Sequence, residues 1–265
     1  MSQLRVGLVQ YAPIWENPAA NRAQLEEQLS GWEGKVDIVV LPEMFTTGFT
    51  MNPGPNAEIM EGPTHRWMKL MAKRLQAALA GSCIIRDGGQ FWNRLLWVEP
   101  DGKTVWYDKT HLFSLAGEDA VYQAGKERTI ISFRDFTICP LICYDLRFGY
   151  LSQQNQEELI DLYLYVASWP EPRKDAWSTL LKARAIENQA FVVGVNRTGK
   201  DGSGWSYVGG SCAYDGLGVP LAQAGTEEEM QIVLLNREVL WESRTQFPFW
   251  QDQKKGIFFG GKFGN

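Results

Sequence analysis

Cys143 closes the apolar run Ile138-Cys139-Pro140-Leu141-Ile142 and is followed at once by Tyr144-Asp145-Leu146-Arg147. Apolar side chains giving way abruptly to polar ones read as a buried strand that breaks into a helix. A thiol at such a corner stands at the edge of a sheet beside the first free N–H groups of the helix, which favour thiolate and bind developing negative charge. Nucleophilic attack is the chemistry this position suits, and a buried core cysteine is the competing reading. Glu43 follows Val39-Val40-Leu41-Pro42, so it falls at the carboxyl edge of a sheet, where α/β folds place ligands. A solvated loop acid has the same local sequence. Lys109 ends Thr104-Val105-Trp106-Tyr107-Asp108, a stretch of β-branched and aromatic residues, and by itself reads equally as a surface charge. Glu118, in Ala116-Gly117-Glu118-Asp119, reads alone as a loop or helix-start acid. Together a thiol, a carboxylate and an ammonium suffice for acyl transfer, because they supply a nucleophile, a proton acceptor and a cation for the oxyanion.

Elements that position these residues follow from periodicity. Leu4 to Tyr11 is an apolar strand, Asn17-Pro18 caps an amphipathic helix reaching Trp32, and Val36 to Leu41 is a second strand. A second helix enters through Gly62-Pro63 and runs to Leu79. Leu79 to Arg86, Phe91 to Val98 and Thr104 to Tyr107 read as strands, the last two joined by the turn Pro100-Asp101-Gly102-Lys103. Beyond Cys143 come strand Leu162 to Ala167, a helix from Lys174 to Asn188, and strand Ala190 to Asn196. Late strands cover Gly209 to Tyr214, Val219 to Gln223 and Met230 to Leu235. Uninterrupted apolar runs with interspersed hairpin signals imply an α/β protein with mixed sheets covered by helices.

Composition excludes several classes. The chain has 265 residues, 45% hydrophobic and 22% charged, enough for one sizeable core and one domain over 1–265. A formal net charge of −5 without a Lys/Arg cluster argues against nucleic acid and for a small-molecule ligand. No run approaches the ~18 apolar residues of a membrane span, and the N-terminus lacks the pattern of an export signal, so a cytoplasmic location is expected. Four cysteines, Cys83, Cys139, Cys143 and Cys212, then read as free thiols.

Leu41-Pro42-Glu43-Met44-Phe45, Tyr107-Asp108-Lys109-Thr110-His111-Leu112-Phe113 and Cys143-Tyr144-Asp145-Leu146-Arg147-Phe148 resemble, in order and spacing, the three motifs of the nitrilase superfamily of carbon–nitrogen hydrolases. Ala183 to Gln189 and Gly210 to Gly218 extend the resemblance over nearly the whole chain. It implies a single-domain α/β/β/α sandwich with two mixed sheets, a Glu-Lys-Cys triad at Glu43, Lys109 and Cys143, and a second glutamate at Glu118 that tunes Lys109 and helps to position substrate or water. It implies neither metal nor organic cofactor, and it implies a homodimer; the C-terminal run Lys254 to Gly260 has apolar residues that would be a liability if exposed, and is expected at a subunit interface for that reason. The segments Ser168-Trp169-Pro170-Glu171-Pro172-Arg173 and Arg244 to Asp252 are similar to the bacterial omega-amidase branch, whose members hydrolyse the terminal amide of dicarboxylate monoamides such as 2-oxoglutaramate.

Such a substrate needs a cation for its far carboxylate, and Arg173 is the candidate, against the alternative of a solvent-facing loop arginine. Phe45, Trp169 and Tyr144 are candidate pocket walls, although aromatic residues beside strand ends are commonly core. Phe148-Gly149-Tyr150 departs from the family pattern, where proline follows the phenylalanine in many relatives. A Cys-His protease would need one of the two histidines, His65 or His111, as base. The local signatures of protease cysteines are absent, and His111 reads as a supporting residue. Cys139, Cys143 and His111 do not match zinc-ligand spacing. Gly199-Lys200-Asp201-Gly202-Ser203-Gly204 lacks the ending of a phosphate loop and reads as a flexible surface loop. Outside enzymes, a non-catalytic binding module remains the alternative.

Overall fold

The computed structural model describes residues 2–154 and 157–253. Strands β1 (Gln3–Gln10), β2 (Ile38–Val40), β3 (Ala78–Asp87), β4 (Gln90–Val98) and β5 (Thr104–Asp108) come first. Then follow β6 (Ile131–Phe133), β7 (Phe136–Ile142), β8 (Leu162–Ala167), β9 (Phe191–Asn196), β10 (Thr198–Lys200), β11 (Ser206–Val208), β12 (Cys212–Tyr214), β13 (Pro220–Gln223) and β14 (Glu229–Asn236). Among the described residues they form two six-stranded sheets, in the orders β14-β1-β2-β3-β4-β5 and β13-β12-β9-β8-β7-β6, and a separate β10-β11 hairpin. In each sheet three neighbouring strands are parallel, β1-β2-β3 and β7-β8-β9, and the flanking pairs are antiparallel.

Side chains alternate across the first sheet with the period of a strand. Val6, Leu8, Ile38, Val40, Leu95 and Trp97 enter the core shared with the second sheet, which includes Leu162, Leu164 and Val193. Their neighbours Val9, Val39, Leu41, Leu79, Leu96 and Val98 enter a separate core with Leu25 and Leu29 on one side and Met68, Met71 and Leu75 on the other. Those partners come from the Pro18–Gln28 helix and its end, and from the Pro63–Leu75 helix. The Lys174–Asn188 helix turns Trp177, Leu181, Ala185 and Asn188, one helical face, onto the second sheet. It sits so close to β9 that a Cβ at Gly194 would lie 2.4 Å from Leu181 Cδ1, a separation only glycine avoids. The layering is therefore α/β/β/α, as the resemblance implied. No helix among the described residues is long and apolar enough to cross a membrane.

Some elements depart from expectation. The Arg237–Gln246 helix and the short strand β6 were not foreseen, and the glycine-rich segment after β9 is a hairpin turn, not a free loop. The expected helix after Cys143 is only a five-residue 3-10 turn, Cys143–Arg147. The run Lys254 to Gly260, expected at a subunit interface, lies outside the described residues. Arg244, buried on the late helix, donates to Asp161 Oδ1 at 3.2 Å and to the carbonyls of Ile160 and Gln189 at 2.6 and 2.8 Å, tying that helix to the loops of the second sheet.

The corner at Cys143 is a strained one. Ile142 is extended and Cys143 has φ +46°, a left-handed conformation that a non-glycine residue adopts only when its surroundings enforce it. Asp145 does the enforcing. Its buried carboxylate accepts the Ile142 N–H at 3.0 Å and the Tyr107 hydroxyl at 2.8 Å on one oxygen, and the His111 N–H at 2.9 Å and Nδ1 at 3.1 Å on the other. His111 in turn stacks on Phe148, centroids 3.7 Å apart, and its Nε2 bonds the Tyr150 hydroxyl. His111 thus has the supporting role expected of it. The Phe148-Gly149-Tyr150 departure also acquires a reason: a Cβ at Gly149 would stand 2.9 Å from Arg184 Nη1, and Tyr150 reaches back to His111.

Two stability outcomes follow from these contacts. Arg244→Ala is expected to lower the unfolding free energy by about 3 kcal/mol, the low end for breaking a buried ion pair because Asp161 keeps Arg237. Asp145→Ala, which orphans four donors, is expected to cost about 2–4 kcal/mol. Both are read from urea unfolding midpoints at pH 7, and a change under 1 kcal/mol would contradict the assigned bracing.

Candidate active site

Glu43 lies just beyond β2, Lys109 just beyond β5 and Cys143 just beyond β7, so the carboxyl ends of strands from both sheets converge. Glu118 arrives on the 3-10 turn Glu118–Ala120. Glu43, Lys109 and Glu118 have 0% exposure and Cys143 8%. Lys109 Nζ donates to Glu43 Oε1 at 2.8 Å and to both oxygens of Glu118 at 2.8 and 3.0 Å. Ser168, at the end of β8, gives its N–H to Glu43 Oε2 at 2.9 Å and its hydroxyl to the Glu43 carbonyl at 3.2 Å. The four residues singled out in the sequence are brought together, with the nucleophile supplied by one sheet and the charged groups by the other.

Counting acceptor sites separates the two glutamates. A carboxylate has about four lone-pair sites. Glu118 Oε1 takes Lys109 and the Asn93 amide, each at 3.0 Å, and Oε2 takes Lys109 at 2.8 Å and the Phe113 N–H at 2.6 Å, so all its sites are filled. Glu43 Oε1 takes Lys109 and Asn93, both at 2.8 Å, whereas Oε2 takes one N–H, that of Ser168, so that Glu43 keeps a site for the neighbouring Cys143 thiol. Of the two carboxylates, Glu43 is the one able to receive a proton without first losing a donor.

Electrostatics at the thiol oppose the simple expectation for a strand-to-helix corner. Burial, followed by the negative charge of Glu43, pushes the Cys143 thiol well above its ordinary value, and Lys109 offsets this only in part. The short 3-10 turn contributes too little to reverse it. Cys143 therefore rests as a thiol, and any reaction of its sulfur as thiolate needs a proton acceptor within the site. Burial also opposes the charge on Lys109, but Glu118 and Glu43 outweigh it and hold the ammonium well above the usual lysine value. Burial, with the repulsion of Glu43, raises the Glu118 carboxyl against the pull of Lys109. Lys109 is thus a fixed cation and not a proton donor.

Cys143 and Lys109 open into a cavity of about 390 Å³. Tyr144, Trp169 and Arg173 line it, where the sequence placed them. Phe45 does not: it is fully buried in the core behind the first sheet, 6.0 Å from the Trp67 ring. The preceding residue, Met44, has φ +45°, and that turn swings the phenylalanine inward, where its carbonyl accepts the Tyr11 hydroxyl. Glu43 and Glu118, both fully buried, stand beside Lys109 and are not part of the lining. The Arg173 guanidinium stands over the Phe113 ring at 5.1 Å and the Trp205 ring at 5.8 Å and has no acid partner among the described residues. Arg147, given no role from sequence, is a second guanidinium on the lining, 5.1 Å from the Trp169 ring.

The acids on the lining are already engaged. Glu16 accepts from Thr50 Oγ1 at 2.5 Å. Asp201 takes the N–H groups of Ser203 and Trp205, both at 2.9 Å, and the Tyr207 hydroxyl at 2.7 Å, which shapes the β10-β11 turn. This turn, expected to be a flexible loop, carries Trp205 and Tyr207 into the lining. Alternation of Trp205 and Tyr207 in a short aromatic strand was the available signal, masked by the glycines before it. Asn93 was missed as well, although a lone amide inside Phe91-Trp92-Asn93-Arg94-Leu95 is conspicuous for a buried strand.

Residues 5–245 match the carbon–nitrogen hydrolase family. An omega-amidase of Yersinia enterocolitica is 43% identical over 96% of this chain and 98% of its own. A 2-oxoglutaramate amidase of Bacillus subtilis is 30% identical over 96% and 98%. Among solved structures, a carbon–nitrogen hydrolase superfamily protein of Xanthomonas campestris with an arsenic adduct in its active site superposes with a TM-score of 0.95 at 40% identity, covering 97% of this chain and 100% of that one. With this match over most of its length, the chain belongs to the carbon–nitrogen hydrolase family.

Proposed function

We propose that the protein is an omega-amidase, releasing ammonia from the terminal amide of short dicarboxylate monoamides such as 2-oxoglutaramate and succinamate through a thioester on Cys143. The observation that carries the substrate class is Arg173: an arginine clamped between two aromatic rings, without an acid partner among the described residues, on the same cavity as Cys143 and Lys109. A guanidinium so held is preorganised for a carboxylate, which it binds through two parallel N–H donors. Arg147 adds a second positive group to the same lining. The names of the Yersinia and Bacillus relatives support the same reading.

In this mechanism the substrate carboxylate docks on Arg173 and the amide carbon meets Cys143. Glu43 Oε2 takes the thiol proton as sulfur attacks, and the carbonyl oxygen becomes an oxyanion facing the Lys109 ammonium. The tetrahedral intermediate collapses as Glu43 returns the proton to nitrogen, the C–N bond breaks and ammonia leaves. Water then enters, loses a proton to Glu43 and attacks the thioester; the C–S bond breaks, the proton returns to sulfur and the free dicarboxylate departs. Lys109 keeps its charge throughout, held by Glu118. Tyr144 and Trp169 wall the acyl chain. A cytoplasmic location and a homodimer belong to the same proposal. The four cysteines are all free, which suits a reducing compartment, and Ile232, Leu234 and Val239 leave apolar area for a second copy to cover.

Cys143→Ala is expected to fold as the wild type and release no ammonia from succinamate or 2-oxoglutaramate; a folded, active alanine variant ends the thioester mechanism. Arg173→Ala is expected to lower kcat/KM for succinamate by about 100-fold, the value of a charge-assisted contact, and to change turnover of a neutral amide of equal length far less. Equal losses on both substrates would remove Arg173 as the carboxylate partner. Wild-type activity confined to a nitrile or an N-carbamyl amino acid would keep the triad and discard the substrate.

A further inference from the structure

Asn93 takes no part in the steps above, yet its side chain touches both glutamates. It lies in β4 with 0% exposure, and its backbone carbonyl accepts the Lys109 N–H at 3.0 Å, so the pairing that places the lysine also places the amide. Its Nδ2 gives one hydrogen to Glu43 Oε1 at 2.8 Å and the other to Glu118 Oε1 at 3.0 Å. Its Oδ1 has no hydrogen-bond partner. A buried amide oxygen left unpaired is a cost that folded proteins rarely accept. The reversed amide would be worse, setting that oxygen against two carboxylates. The side chain is therefore unsatisfied at one end and serves two anions at the other.

The charges explain the need. Glu43 and Glu118 bring two carboxylates to the single ammonium of Lys109, all three with no solvent exposure. A neutral donor that reaches both carboxylates offsets the excess without adding a charge. It also fills the last acceptor site of Glu118 and the second site of Glu43 Oε1, so that the one vacancy left is on Glu43 Oε2. The other titratable groups facing the pair are Cys143, Tyr122 from the turn after Glu118, and Tyr207 from the hairpin. Neither tyrosine hydroxyl is bonded to a glutamate: one donates to the Thr50 carbonyl, the other to Asp201.

We propose that Asn93 is a positioning residue for the reaction, holding both carboxylates in place around Lys109 and confining the travelling proton to Glu43 Oε2. The inference rests on the reading of Glu43 as proton acceptor. Without the amide, Glu118 Oε1 and Glu43 Oε1 each regain an open site on which the travelling proton can rest.

The test compares wild type with Asn93→Ala and Asn93→Ser, the serine retaining one donor. Folding is checked by urea unfolding, turnover of succinamate is followed from pH 5 to 9, and Cys143 is alkylated with iodoacetamide over the same range. Expected for Asn93→Ala is a kcat lower by about 10- to 100-fold, with KM within about twofold of wild type. The acid limbs of turnover and alkylation should both move up by about one pH unit. Asn93→Ser is expected to fall between the two. Acid limbs that coincide with wild type in the folded variants, whatever the loss of activity, overturn the proposal and leave Asn93 a structural residue; should the alanine variant not fold, the serine variant decides. Alkylation needs no substrate, so a wrong substrate assignment silences turnover in the wild type and leaves this comparison intact.

Discussion

A lysine with no solvent exposure is the constraint to which the rest of the site answers. Taking an ammonium out of water is costly, and the cost is met only when counter-charges and hydrogen bonds surround it with good geometry. Lys109 has three such bonds, to Glu43 and Glu118. They join the end of β5 to the nearby turn at Glu118 and to the loop after β2, 66 residues away in sequence. Each partner is itself anchored: Glu43 by Ser168, Glu118 by the Phe113 N–H, and both by Asn93. Removing Lys109 would leave two carboxylates facing each other in the core, and removing either glutamate would strip the ammonium of hydrogen bonds. The three groups therefore depend on one another for their place.

The two sheets meet at this cluster. The first sheet brings Glu43, Asn93 and Lys109, the second Cys143 and Ser168, and the pair of bonds between Ser168 and Glu43 links them across the sandwich. Packing between the sheets, which is apolar and tolerant of small slips, would not by itself set the nucleophile against its base to within a hydrogen bond. The polar link supplies that registry. The raised thiol fits the same logic. A cysteine kept protonated until Glu43 is free to take its proton is protected from adventitious oxidants and electrophiles, which react with thiolate.

Much of this was legible in the sequence, for identifiable reasons. Strand Leu162 to Ala167 and helix Lys174 to Asn188 are bounded by strong signals and occur as read. Glu43, Lys109 and Cys143 are visible because each charged or reactive group directly follows a β run, and strand ends are where a sheet exposes function. Side-chain direction past a strand end is not visible. Met44 in a left-handed conformation sends Phe45 to the core, and nothing in Leu41-Pro42-Glu43-Met44-Phe45 declares that turn. Asn93 was hidden for another reason: its importance lies in contacts to residues 50 and 25 positions away, which no local pattern encodes. The glycines of the β10-β11 turn concealed an ordered structure because Asp201, which orders it, works through backbone N–H groups that any residue possesses.

That hairpin belongs to neither sheet. Its two strands pair only with each other and its tip is organised by its own aspartate, while its base is held to the body of the protein by the Thr198 N–H on the Tyr11 carbonyl at 3.1 Å and by the buried Arg197. Yet it carries the tryptophan that covers Arg173. In the proposed mechanism, one wall of the binding cavity is thus carried by a hairpin outside the two sheets that supply the reacting groups. Mutational drift or deliberate grafting in a dozen surface residues can retune which acyl chains are admitted, while the buried charges that took a whole fold to assemble are passed on unaltered.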